Sequence, residues 1–117
     1  MTTETERGEQ SKSPAAQPSR TAKVAVLYTS APSVVGDIGR AMRLAGFPEA
    51  LDKTAGTALK VNISWQHWYP ACSTTPWQIE GVLRALQEEG FGDIIAAHNG
   101  TVVVDSHPGE KRNKHKA

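Results

Sequence analysis

Three short apolar runs, each separated from the next by a stretch with helical periodicity, constrain this chain more than any other feature. VAVLYT, residues 24 to 29, is continuously apolar with β-branched and aromatic members, the pattern of a strand buried on both faces. TALKVNIS, 57 to 64, reads as a second strand, and DIIAA, 93 to 97, as a short third. TVVVD, 101 to 105, is predicted as a fourth. The Asn99-Gly100 pair before it is either a two-residue hairpin turn, which makes the fourth strand antiparallel, or a loop at the strand end.

Between the first two runs, Val34, Val35, Ile38, Ala41, Met42 and Ala45 recur at three- and four-residue spacing and paint one helical face. Ser33 is the expected cap, and Gly46 with Pro48 the stop. The second helix has a fuller start signal. Thr75 and Gln78 form a capping box, and Pro76 takes the first helical position, where a missing N–H costs nothing. Ile79, Val82, Leu83 and Leu86 supply its apolar stripe, and Gly90 ends it.

This alternation predicts an α/β fold in two or three layers, with a largely parallel sheet of three to four strands and two main helices. Residues 1–22 hold almost no large apolar side chain, cannot offset their ordering entropy by burial, and are expected to be a disordered leader. The α/β domain is expected over 23–106. Residues 107–117, which contain Lys111, Arg112, Lys114 and Lys116, read as a solvated, frayed basic tail.

Thirteen basic and twelve acidic residues leave a formal charge of +1, so no global field recruits nucleic acid or an anionic membrane. The single cysteine, Cys72, cannot form an internal disulfide and cannot alone hold zinc or an iron–sulfur cluster. A reducing cytoplasm is the expected setting. No metal site is predicted, and no apolar run approaches the roughly twenty residues of a membrane span.

In a parallel sheet the C-terminal strand ends share one edge, where ligands bind. That edge is predicted to gather Thr29, Ser30 and Ser33, then Asn62, Ser64 and His67, then His98 and Asn99. It also receives Ser73, Thr74 and Thr75 at a helix N-terminus, whose amides favour phosphate or carboxylate. Ser30, Asn62, His67, Ser73, Thr74, His98 and Asn99 are therefore the candidate ligand-binding residues. Each has a structural alternative. Ser33 and Thr75 are explained by capping alone, and Asn62 either satisfies neighbouring backbone groups or points into the site.

His67 and His98 are a general base, metal ligands, or neither, for no carboxylate or cysteine stands at ligand spacing. Trp65, Trp68, Tyr69 and Trp77 either pack the loop, stack on a flat ligand, or meet a further segment. Cys72 is a nucleophile only with a stabilised thiolate. No GKS or GKT phosphate loop, GxSxG or HExxH occurs, and GDIGR at Gly36 lies inside a helical pattern. No catalytic residue is assigned, and whether the chain is an enzyme is left open.

ALKVNIS, then WYPACSTTPWQIEGVLRALQEEGF, then DIIAAHNG resembles the N-terminal part of domain-of-unknown-function (DUF) family 362. The shared features are Lys60 and Asn62 as a strand-ending Lys-x-Asn, the helix start at Thr74 to Pro76, and the segment to Gly90. The resemblance implies a longer protein. Some members carry ferredoxin-like cysteine clusters, so redox work in full-length relatives is implied, but Cys72 alone carries no cluster and no cofactor is expected here.

Three expectations follow, the last in rank an independent enzyme using His67, His98 or Cys72. The first is an uncharacterised portion of a larger family domain, inactive alone, needing a missing C-terminal segment or self-association. The alternative is a small binding module for a phosphorylated or carboxylated ligand at the strand-end edge.

Overall fold

The computed structural model describes residues 21–98, 100 and 105–115. Among them are four helices and one two-stranded parallel sheet, a mixed α/β arrangement.

The first amphipathic stretch forms α1, Val34–Ala45, with Ser33 at the N-cap and Gly46 at the C-cap. Gly46 sits at φ 85°, a left-handed conformation that a Cβ would penalise. Ser33 does not cap in the expected way. Its hydroxyl donates to Asp37 Oδ2 at 2.6 Å, one turn along, instead of accepting a helix amide. Pro48 is not a stop either, because it falls in the first turn of a short α2, Phe47–Ala50, where no N–H is needed.

β1, Thr57–Lys60, is followed by α3, Pro76–Glu88, and then by β2, Ile94–Ala97. β2 pairs parallel with β1 from Thr57 opposite Ile94 to Lys60 opposite Ala97. The start of α3 matches its sequence signal: Thr75 N–H donates to Gln78 Oε1 at 2.8 Å, with Pro76 in the first turn. Gly90, at φ 84°, follows the C-cap Glu89.

The expected three- to four-stranded sheet is not formed by the described residues. The second predicted strand ends at Lys60 because only one further ladder bond, Val61 N–H to Ala97 O at 2.8 Å, extends it. Asn62 then turns its backbone to Thr74. The first predicted strand is absent. Val24, Val26 and Tyr28 are 83%, 80% and 100% exposed, and residues 24–28 make no backbone hydrogen bond among the described residues. Apolar composition made this run look buried, but burial requires a neighbouring strand, and among the described residues β1 and β2 pair only with each other. Of the predicted fourth strand, 101–104 lie outside the described residues, and Asp105 is a helix cap.

The two predicted helical faces meet one another. α1 lies against α3 at two glycines, Gly39 beside Ala85 and Gly81 beside Ile38 and Val35. A Cβ on Gly81 would come within 2.9 Å of Ile38 Cβ and of Val35 O, so the absent side chain sets the helix spacing. The buried apolar residues are Val61 and Ile63 after β1, Ala85 and Leu86 on α3, and Phe91 beyond it. Ile95 of β2 stays 66% exposed, so part of the sheet lacks cover among the described residues.

Candidate functional site

The loop from β1 to α3 closes on itself through Asn62. Thr74 N–H donates to Asn62 O at 2.9 Å, and Asn62 N–H donates to Thr74 Oγ1 at 3.1 Å. The Asn62 side-chain amide donates to Ser64 Oγ at 2.7 Å and to Cys72 O at 3.1 Å. Lys60 Nζ folds back on Val61 O at 3.1 Å. In this chain the Lys60 and Asn62 side chains therefore shape the strand-to-loop turn.

The backbone N–H groups of Ser73, Thr74, Thr75 and Gln78 around the α3 start have acceptors. Ser73 N–H donates to Tyr69 O, Thr74 N–H to Asn62 O, Thr75 N–H to Gln78 Oε1, and Gln78 N–H to Thr75 O. Pro76 has no N–H to offer. Ser73 and Thr75 are 6% and 3% exposed, so the amides expected to receive an anion are committed to the loop and largely covered.

The segment expected to be a frayed tail is instead ordered over α4, Ser106–Arg112. Asp105 caps it, accepting from His107 N–H at 3.3 Å, and Lys111 and Arg112 lie at its negative dipole end. Beyond it, Asn113 is 0% exposed and donates its amide to Trp65 O at 2.8 Å and Gly109 O at 3.0 Å. His115 Nε2 lies 2.6 Å from Thr74 O, and because a carbonyl only accepts, that nitrogen carries the proton. Lys114 Nζ stands 5.2 Å above the Trp68 ring, which meets Trp77 edge-on at 6.0 Å. Composition suggested solvation, whereas an Asp cap, Pro108 in the first turn and a basic last turn form a helix signal that sequence reasoning missed.

His98 faces Glu110 of α4, with Nε2 2.8 Å from Oε1. This carboxylate partner comes from twelve residues later and was invisible to a search at metal-ligand spacing. His67 is exposed, with its ring 5.8 Å from that of Trp65. No group of three or more His, Cys, Asp or Glu among the described residues is placed to hold a metal ion. Asn99 lies outside the described residues.

Ser30 belongs to a hydroxyl cluster around Asp37. Its Oγ is 2.9 Å from Ser33 Oγ, while Ser33 Oγ and Thr29 Oγ1 donate to Asp37 Oδ2 at 2.6 and 2.9 Å. These two hydroxyls, Ser33 first, hold the Asp37 carboxyl below its usual range. An open hollow of about 390 Å³ beside them is lined by Thr29, Ser30, Ala31, Val34, Val35 and Trp77. A second, of about 400 Å³, lies between Ser64, Trp65, Tyr69 and exposed Cys72. Among the described residues neither Ser30 nor Cys72 is hydrogen-bonded to a histidine.

The described residues contain no helix long and apolar enough to cross a membrane. No protein-family model, curated protein or solved structure matches this chain.

Proposed function

We propose that this chain is an α/β module, inactive alone, that acts within a larger assembly; the resemblance to the N-terminal part of DUF family 362 implies a longer protein around it. Its task is to take up a strand at residues 24–28 and so complete a composite site. One observation carries this: a run of five apolar residues, three of them 80% or more exposed, makes no backbone hydrogen bond among the described residues. An unpaired strand-forming run of this kind is a template for pairing with another chain. Any redox chemistry of longer relatives would lie outside this chain, which has one cysteine. The anion-binding alternative is the weaker one, since the amides of Ser73, Thr74 and Thr75 already have acceptors.

Hydrogen–deuterium exchange of the dilute monomer tests the proposal. The amides of residues 24–28 should exchange at nearly the rate of an unstructured peptide, while those in the middle of α3 remain protected. Protection of 24–28 in the monomer would mean that the run is already paired and would end the reading.

A further inference from the structure

We infer that α4 and the aromatic loop it docks on form a surface for single-stranded nucleic acid, in which the cations of α4 meet phosphates and the loop rings stack on bases. None of residues 24–28 takes part, so this inference stands apart from the module proposal.

The formal charge of +1 hides a local excess. Lys111, Arg112 and Lys114 are exposed, and none lies within salt-bridge distance of a carboxylate among the described residues. The neighbouring acids are turned elsewhere. Asp105 caps α4, Glu110 faces His98, and Glu80, which shares a hollow with Lys114, pairs with Arg84 at 2.6 Å. Lys111 and Arg112 line, with His107 and Pro108, an open hollow of about 670 Å³ that has no acidic side chain. Unneutralised cations along one short helix complement a chain of phosphates.

Beside these charges, Trp65, Trp68, Tyr69 and Trp77 are 49%, 36%, 57% and 38% exposed. Rings and cations are held in a fixed relation, because Asn113 and His115 fasten the end of α4 to the loop through the carbonyls of Trp65 and Thr74, and Lys114 Nζ lies 5.2 Å above the Trp68 ring. These fastenings use backbone oxygens of the loop and leave the Trp65 and Tyr69 side chains open. The hollow of about 400 Å³ that those two rings line with Ser64 and Cys72 has no aliphatic side chain, which suits a flat heteroaromatic base better than an acyl chain. A basic track with adjoining exposed rings is how proteins hold single strands without reading their sequence.

Fluorescence anisotropy of a fluorescein-labelled oligothymidylate of about twelve nucleotides, titrated with the 117-residue chain, tests this. Binding should weaken as salt rises, with a log–log slope of about −2 for three phosphates contacted, and Lys111→Gln with Arg112→Gln should reduce that slope to about −0.7. Tyr69→Ala, at an exposed position, should weaken binding about fivefold or more with the melting temperature unchanged. Stacking on Trp65 should also quench the intrinsic tryptophan fluorescence of the unaltered protein, which inorganic polyphosphate should not do. The same sequence as a duplex, its base faces hidden, should bind less tightly.

No binding to the oligonucleotide at low salt would overturn the inference. So would polyphosphate binding as tightly as the oligonucleotide with neither quenching tryptophan, which would leave only a polyanion patch. Binding to phosphatidylserine vesicles but not to the oligonucleotide would make this a membrane-facing surface instead. An affinity and salt slope unchanged by Lys111→Gln with Arg112→Gln would place any nucleic-acid contact elsewhere.

Discussion

The side-chain amide of Asn113 donates to the carbonyl oxygen of Trp65, 48 residues earlier in the chain, at 2.8 Å. This bond fastens the end of α4 to the loop between β1 and α3, and Asn113 is wholly buried as it does so. Trp65 O also receives the Ser73 hydroxyl, at a long 3.5 Å, so Asn113 is its principal donor.

Asn113→Ala should therefore destabilise the fold by about 1–3 kcal/mol, since it removes two hydrogen bonds and leaves a carbonyl short of a donor. Urea denaturation followed by tryptophan fluorescence measures this. An unchanged midpoint would show that α4 does not stabilise the loop.

Two glycine substitutions should act in opposite directions. Gly81→Ala puts a methyl group 2.9 Å from Ile38 Cβ and Val35 O, forces α1 and α3 apart, and should cost about 1–3 kcal/mol. Gly36→Ala has nothing within 4 Å of the new Cβ and lies inside α1, so it should stabilise by about 0.5–1 kcal/mol. Thermal melting of both variants checks the helix interface, and equal effects would contradict it.

Thr75→Ala removes the N-cap of α3 and should cost about 1 kcal/mol. Because Gln78 Oε1 accepts from both the Thr75 amide and hydroxyl, at 2.8 and 3.0 Å, the cost of Thr75→Ala plus Gln78→Ala should fall below the sum of the single costs. Simple additivity in denaturation experiments would show that the two residues act independently.

Stability should fall on acidification through a contact joining α1 to the end of α3. Arg43 Nε donates to Glu89 Oε1 at 2.8 Å and its Nη2 to Glu88 Oε2 at 2.6 Å. The Arg43 hydrogen bond holds Glu89 below the usual 4.5, and the carboxylates in turn raise the Arg43 pKa. A carboxylate depressed in the fold contributes stability above its unfolded pKa and loses it as pH falls through the folded value. The denaturation midpoint should thus decline below about pH 4.5, and Arg43→Met should flatten part of that decline. The effect should be modest, because these side chains are solvated. An identical pH profile for the variant would remove Arg43 from the account.

The parts of the fold that rest on local chemistry were legible in the sequence. The Gly46 stop, the capping box at Thr75 and the helical placement of Gly36 follow from steric and hydrogen-bonding rules acting within a few residues. The parallel pairing of β1 with β2 also followed, because a helix between two apolar runs leaves room for little else. Of the candidate site, Asn62, Ser73 and Thr74 do share one loop, but their polar groups bind that loop. His98 acquired a partner, Glu110, that spacing could not indicate.

What the sequence determined by itself was where α1 and α3 begin and end, since capping and backbone preference are settled among near neighbours. Tertiary structure alone decided which apolar surfaces are covered. Val24–Tyr28 and Val61–Ile63 look alike as strings of β-formers, yet the first stands open and the second is buried at Val61 and Ile63. Burial is a property of what arrives from elsewhere in the chain. Likewise Asn113, buried, and His115, half-buried, became fasteners only because α4 docks on a loop some forty residues away in sequence.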